Sequence, residues 1–271
     1  MYRHRLLTVI ALALCLGLAD AALAGFAATD CFLPSVGRGP GKQESEWYTR
    51  VLIHNPGDTD ATIQIIFLLR GQPNPAPQVF TDTVLAGKVG RYIDPVETLF
   101  GTTGFGALRV VSDQPVVVLG RVYSQPPEGP AYSVGQFFAA IPAEFAIGAG
   151  EHTHLLGVWQ HIPETSSYFR YNYGLVETAG ATATVEISSF NADGEYRTTR
   201  SFTLGPFEVQ QRNVAELLNG ENAWNMRLEI RVTGGDGRIV AFGSFLANES
   251  NDPSTFEMQY PSRILAGGGA R

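Results

Sequence analysis

Two alternating histidines are the first residues whose spacing suggests chemistry. His152 and His154 are one residue apart, so on an extended strand both imidazoles would point to the same face. Imidazole is a common zinc ligand, but a zinc site needs three or four ligands. His161 with Glu151 or Glu164 would complete a set only if the chain folded back. The sequence therefore predicts no metal site, and a solvated strand is the favoured interpretation.

A second group combines polar and aromatic side chains, namely Arg121, Tyr123, Tyr132 and Gln136. Arg121 and Tyr123 would share one face of a strand, because side chains repeat every two residues. Guanidinium donors beside a ring could bind a sugar or a peptide. The alternative is a structural corner, in which these groups satisfy loop carbonyls after the irregular segment 125–130. We favour the corner, because buried polar groups must find partners at such crossings.

Aromatic residues are concentrated in segment 168–173, which reads Tyr-Phe-Arg-Tyr-Asn-Tyr. On a strand, the odd-numbered residues would form one face and the even-numbered residues the other. One face of a sandwich strand must pack on the core, so the aromatic set is interpreted as core. An exposed set would instead bind carbohydrate by stacking, with Trp159, Tyr168, Trp47 and Tyr48 as the candidates.

Signals of catalysis and of cofactor binding are missing from the sequence. There is no G-x-S-x-G motif, and Gly41-Lys42 is followed by Gln43, which does not fit a phosphate-binding loop. No pair of carboxylates stands out for acid–base catalysis. We therefore predict no catalytic residues, no cofactor and no enzyme activity.

The charge balance argues against nucleic acid as a partner. The chain has 19 basic and 26 acidic residues, a net charge of −7, and its only lysines are Lys42 and Lys88. Without a basic cluster there is no strong attraction for phosphates. The 30 glycines, 16 prolines and 11% aromatic residues favour all-β structure.

The first 24 residues have the features of a signal peptide. Arg3 and Arg5 precede the apolar run 6–18, and Ala22-Leu23-Ala24 offers a small-x-small cleavage site. An apolar run of about thirteen residues is shorter than the roughly 20 that span a bilayer. The sequence predicts export to the periplasm or the cell exterior, with no membrane span once residues 1–24 are removed.

Behind the signal, residues 25–45 are rich in glycine and proline and predict a flexible leader. The leader holds Cys31, the one cysteine outside the signal peptide. In an oxidising compartment this thiol could pair between chains or remain an unpaired thiol without a role.

The rest of the chain repeats itself. The pattern from Val51 to Ile65 recurs from Tyr173 to Ile187, a shift of 122 residues. A period of this length predicts two copies of a whole domain, at 46–147 and 148–262, followed by a disordered tail at 263–271.

Each copy contains short alternating segments separated by turns, and one short helical segment, at 96–101 and 214–220. About seven short strands in roughly 110 residues favour a β-sandwich. Residues 106–112 and 116–124 are predicted as two strands joined by a tight connection at 112–115. The predicted fold is all-β: two tandem Ig-like β-sandwich domains that arose by internal duplication, each with one short helix.

Several motifs of the first copy resemble a widespread class of exported bacterial proteins with paired Ig-like β-sandwiches. They are Gly106-Ala107-Leu108-Arg109-Val110, Pro115-Val116-Val117-Val118, Arg121-Val122-Tyr123, Gly135-Gln136 and Ile141-Pro142-Ala143. The second copy departs from the pattern, with Ser244 in place of Arg121 and Leu246 in place of Tyr123. The resemblance implies the fold and the export and assigns no activity.

The function predicted from the sequence is that of a non-catalytic structural or adhesive module at the bacterial envelope. Its partner would be another protein or a second copy of the chain, bound through edge strands or loops. The alternative is a carbohydrate-binding protein for which polysaccharide is the partner. The candidate ligand-binding residues are Arg121, Tyr123, Tyr132, Gln136, Trp159 and Tyr168.

Overall fold

The computed structural model describes residues 26–41, 45–125, 132–163 and 168–260. This part of the chain consists mostly of antiparallel β-strands with two one-turn α-helices, which confirms the predicted all-β class. The predicted signal peptide 1–24 and tail 263–271 lie outside the described residues. Within the described ranges, no helix is long and apolar enough to cross a bilayer.

The strands of the N-terminal half form one hydrogen-bonded network. They are β1 (Ala28–Pro40), β2 (Glu46–His54), β3 (Ala61–Leu69), β4 (Val79–Val84), β5 (Val89–Ile93), β6 (Gly104–Ser124), β7 (Val134–Ala139) and β8 (Ile141–Pro142), with helix α1 (Pro95–Thr98) between β5 and β6. The strand order is β4-β3-β6-β1-β2-β5, with β7 paired to β6 and β8 paired to β1. Side chains of β2 alternate between buried and half-buried, as the period of two predicts.

Strand β6 is the long element of this half. Its first part pairs with β3 and its second part pairs with β2, so this one strand belongs to two layers of the sheet network. The predicted break at 112–115 is wrong, because the chain stays extended there. Pro115 lies where the pairing with β1 shifts register, between Val111 and Val116. A proline that cannot donate a ladder hydrogen bond is tolerated at such an irregularity.

The C-terminal half has two separate four-stranded sheets. Its strands are β9 (His152–Gln160), β10 (Phe169–Glu177), β11 (Ala183–Phe190), β12 (Tyr196–Leu204), β13 (Val209–Asn213), β14 (Ala223–Gly235), β15 (Ile239–Ala247) and β16 (Pro253–Glu257), with helix α2 (Val214–Leu217) between β13 and β14. The sheet orders are β12-β11-β14-β9 and β13-β10-β15-β16. The N-terminal half repeats these orders as β4-β3-β6-β1 and β5-β2-β6-β7.

The predicted flexible leader 25–45 is wrong over its described part, because residues 28–40 form strand β1. Phe32 and Leu33 are fully buried, and the strand pairs with β6 along most of its length. The first unit of structure therefore begins near Ala28 and not at residue 46. The glycines and prolines of this segment interrupt the alternating pattern, so the pattern does not predict a strand. The 122-residue shift makes β1 the counterpart of β9 in the C-terminal half.

Strand β1 also connects the two halves. Phe32 packs in an apolar cluster made largely by the C-terminal half, whereas Leu33 packs in the cluster of the N-terminal half. Across the same boundary Phe138 meets Phe242 edge to face, with ring centroids 5.5 Å apart. Backbone hydrogen bonds join the halves as well, from the Gly71 amide to the Val209 carbonyl at 2.8 Å. The halves are thus packed against each other and not merely linked in sequence.

Cys31 is a core residue, which argues against a bond between chains. Burial, with Asp30 as a smaller cause, raises the pKa of its thiol to about 12. We predict that the native protein does not react with Ellman's reagent at pH 8, because almost no thiolate is present or accessible. One equivalent should react after unfolding in guanidinium chloride. Rapid reaction of the native protein would contradict the placement of β1.

We predict that Leu33→Ala lowers the free energy of unfolding by about 2–5 kcal/mol, because it leaves a cavity in the core. Leu33 lies directly over Gly120, where an added Cβ would come within 2.5 Å of its side chain. The control is Leu85→Ala at an exposed position, with an expected change of about 0.5 kcal/mol or less. Equal denaturation midpoints for the two variants would argue that β1 is not part of the core.

Candidate ligand-binding cleft

A cleft of about 320 Å³ lies between the two halves. Its polar side chains come from both halves and are those of Ser35, Arg70, Gln136, Arg170, Asn172, Gln211 and Ser244. The volume is at the lower end of the range for small-molecule sites in proteins. Clefts between domains are frequent binding sites, so this is where we place the candidate site.

Arg170 on β10 is the most unusual residue of the cleft. It is 5% exposed, and its guanidinium donates to the Oδ1 atoms of Asn248 at 3.1 Å and Asn251 at 2.6 Å. Both acceptors are neutral amide oxygens. Burial lowers the pKa of Arg170, and no described carboxylate opposes that effect. A cation is therefore held away from water with no counter-charge among the described residues, which is costly in free energy.

Arg70, which follows β3, brings a second guanidinium to the cleft. It donates to Gln211 Oε1 at 3.0 Å and lies 5.1 Å from the centroid of the Phe105 ring. The Arg70 side chain is exposed as a whole, and partial burial of its guanidinium lowers its pKa, again with no described carboxylate as a second cause. Arg109 shows the contrast, since its guanidinium binds both oxygens of Asp30, at 2.8 and 2.6 Å.

Of the candidate binding residues singled out from the sequence, Gln136 and the aromatic candidate Trp47 line this cleft. Gln136 belongs to the polar and aromatic group. It is buried on β7, and its Oε1 accepts a hydrogen bond from Ser244 Oγ of β15 at 3.1 Å. Next to it, the Thr255 hydroxyl donates to the Phe137 carbonyl at 2.7 Å. Gln136 therefore both holds the halves together and contributes an amide to the cleft wall.

Arg121 and Tyr123 lie elsewhere, on the outer face of the β5-β2-β6-β7 layer. Arg121 donates to the carbonyl of Ser133 at 3.3 Å, and its guanidinium lies 5.0 Å from the Tyr123 ring centroid. Tyr123 stacks on Tyr48 with centroids 5.7 Å apart. Contacts of this kind are the ones that the structural-corner interpretation predicts. Tyr132 is exposed and lies at the edge of the undescribed segment 126–131.

Trp159 and Tyr168, the other predicted residues, come together in an aromatic cluster with His161 and Trp224. The Trp159 and Trp224 rings meet at 83° and the Tyr168 and Trp224 rings at 82°, while His161 stacks on Tyr168 with centroids 4.3 Å apart. Tyr168 is 48% and Trp224 47% exposed. The rings do not form the flat platform expected for simple sugar stacking, but two of them present half of their surface to solvent.

Strand β10 connects this cluster to the cleft. Its odd-numbered residues Tyr171 and Tyr173 are buried in the core, as the alternation predicted. Arg170 and Asn172 point to the opposite face and line the cleft. Tyr168 lies two residues before Arg170, just as Arg170 lies two residues before Asn172. Tyr168 is therefore close to Arg170 along the chain, whereas Trp159 and Trp224 lie on β9 and β14 of the other sheet, and none of the four rings lines the cleft.

His152 and His154 meet Glu229 of β14, with possible ligand atoms all within 4.8 Å of one another. Two arginine guanidiniums already contact these side chains. Arg231 donates to Glu229 at 3.0 Å, and Arg227 lies 3.3 Å from His154 Nδ1. The pKa of His154 is lowered by burial and then by Arg227. The positive charge beside the imidazoles disfavours a bound cation, so we do not assign a metal here.

Comparison with known proteins identifies no family. No family model and no curated protein matches the sequence. Among solved structures, the chain is similar to Thermotoga maritima 1070, with 18% identity over 42% of this chain and 94% of that chain and a TM-score of 0.34. It is also similar to a calcium-binding mutant of Bacteroides uniformis β-glucuronidase 2, with 12% identity over 88% of this chain and 28% of that chain and a TM-score of 0.17.

We predict that Arg170→Gln changes the free energy of unfolding by less than about 1 kcal/mol, or raises it, because the charge it removes has no counter-charge. Arg109→Gln, which breaks the two-bond ion pair with Asp30, should lower it by about 1–2 kcal/mol. Urea denaturation of both variants checks this order. A larger loss for Arg170→Gln than for Arg109→Gln would mean that Arg170 serves stability.

Proposed function

We propose that this chain is an exported, non-catalytic recognition protein of the bacterial envelope, and that it binds an anionic ligand in the cleft between its halves. The proposed architecture is two tandem Ig-like β-sandwiches that arose by duplication. The matching order of strand pairing in the two halves supports that origin. The basic start and apolar run at the N-terminus support export.

The observation that carries the proposal is that two guanidiniums line the cleft, one from the buried Arg170 and one from the exposed Arg70, and that no described carboxylate pairs with either. Ionisable groups perturbed by burial and lining a cleft are typical of functional sites. An arginine fork matches the two oxygens of a carboxylate or a phosphate, and the dry wall of a cleft strengthens that attraction. An anion would supply the counter-charge that the described part of the chain does not offer these two residues.

A second candidate function is adhesion through a protein partner, on the outer face of the β5-β2-β6-β7 layer. Apolar side chains are exposed there on three strands, with Phe137 at 65%, Val89 at 56% and Leu119 at 41%. Arg50 and Arg121 face each other in register between them. A protein with acidic residues around an apolar patch would fit this surface.

The proposal predicts that small anions stabilise the protein. Citrate, succinate, sulfate and phosphate are compared with chloride at matched ionic strength, and the midpoint of thermal unfolding is recorded. A ligand at ten times its Kd stabilises the folded state by about 1.4 kcal/mol, so at least one anion should raise the midpoint by several degrees.

The double variant Arg70→Gln and Arg170→Gln should lose this shift. Arg109→Gln serves as the matched control and should keep it, because Arg109 is already paired with Asp30. Equal anion effects on the double variant and on the original protein would mean that the cleft is not the binding site.

A further inference from the structure

We propose that the ligand of the cleft is an acidic glycan, a chain of sugar rings that carry carboxylate groups. This inference rests on the proposed anion-binding function and names its ligand class. It draws on the neutral lining of the cleft and on the aromatic cluster around Tyr168, in addition to the two arginines.

The arginines account for the carboxylate. Arg170 is fixed by Asn248 and Asn251, so its guanidinium is already oriented before a ligand arrives. Arg70 is fixed by Gln211 and by the Phe105 ring. Preorganised donors of this kind bind an anion without a further loss of side-chain freedom.

The rest of the cleft wall matches hydroxyl groups. Side-chain amides of Asn172, Gln136 and Gln211 and the hydroxyls of Ser35 and Ser244 line it. Amides and hydroxyls both donate and accept, as sugar hydroxyls do. Trp47 and Phe105 add aromatic surface within the same cleft, which suits the apolar face of a sugar ring.

The aromatic cluster extends the site by at least one more ring. Tyr168 lies two residues from Arg170, which corresponds to about 7 Å along an extended chain. Tyr168 and Trp224 each expose about half of their surface and meet at 82°, so their rings form a corner and not a plane. A glycan whose successive rings change orientation would contact both. This alternation of guanidiniums, amides and rings favours a glycan over an acidic peptide.

Isothermal titration calorimetry on the purified protein tests the inference with three probes. They are a tetramer of galacturonic acid, the same tetramer with its carboxyl groups reduced to alcohols, and a tetraglutamate peptide. We expect the uronate tetramer to bind at least tenfold more tightly than either of the others. The double variant Tyr168→Ala and Trp224→Ala should weaken that binding about tenfold and leave the stabilisation by small anions unchanged.

Tyr196→Ala is the matched control, since Tyr196 is an exposed tyrosine of β12 outside the cluster, and it should bind like the original protein. Tetraglutamate binding as tight as that of the uronate tetramer would overturn the inference in favour of an acidic peptide. Equal binding of the uronate and reduced tetramers would overturn it as well. If small anions stabilise the protein but the tetramer binds no better than citrate, the inference fails and the proposed function stands. If no anion binds, both fail.

Discussion

Strand β1 determines the arrangement of the molecule, because neighbouring side chains on it enter the apolar clusters of both halves. Phe32 packs with the C-terminal cluster and Leu33 with the N-terminal one. The strand also contributes Ser35 and Pro40 to the wall of the cleft. The cleft exists because the halves are fixed to each other. A pair of domains joined only by the short segment 148–150 would not hold Arg70 and Arg170 at one site.

The buried Arg170 shows where stability and function diverge. A protein selected only for stability would pair Arg170 with a carboxylate, as it pairs Arg109 with Asp30, or replace it by an apolar residue. Instead the guanidinium is held by neutral amide oxygens. Neutral partners fix the direction of the guanidinium without cancelling its charge. Groups that cost stability in this way are characteristic of binding sites.

Alternation of apolar and polar residues was enough to predict many of the strands. Strands β2 and β11 show the reason, since their residues alternate in burial because one face of each lies on a core. The alternating pattern does not predict strand β1, because glycine and proline interrupt it. The 122-residue repeat nevertheless makes β1 the counterpart of β9. The continuity of β6 was missed because Pro115 resembles a turn signal.

The site was harder to predict than the fold. Alternation placed Arg170 and Asn172 on the face opposite the core, but it cannot show that this face packs on the N-terminal half. Arg70 lies at the end of a strand without any motif around it, and Trp224 joins Trp159 and Tyr168 only through the pairing of β14 with β9. These contacts arise from tertiary packing, and no local sequence pattern encodes them. Of the candidate binding residues singled out from the sequence, only Gln136 and Trp47 line the cleft.

The central claim is that Arg70 and Arg170 bind an anion, which supplies their counter-charge. The most direct measurement is the NMR signal of each arginine Nε–H group during a titration with citrate, assigned by single Arg→Gln variants. The account predicts that the Arg70 and Arg170 signals shift together and saturate, while the Arg109 signal stays in place. Unchanged signals of Arg70 and Arg170, or equal shifts of all arginines, would contradict it.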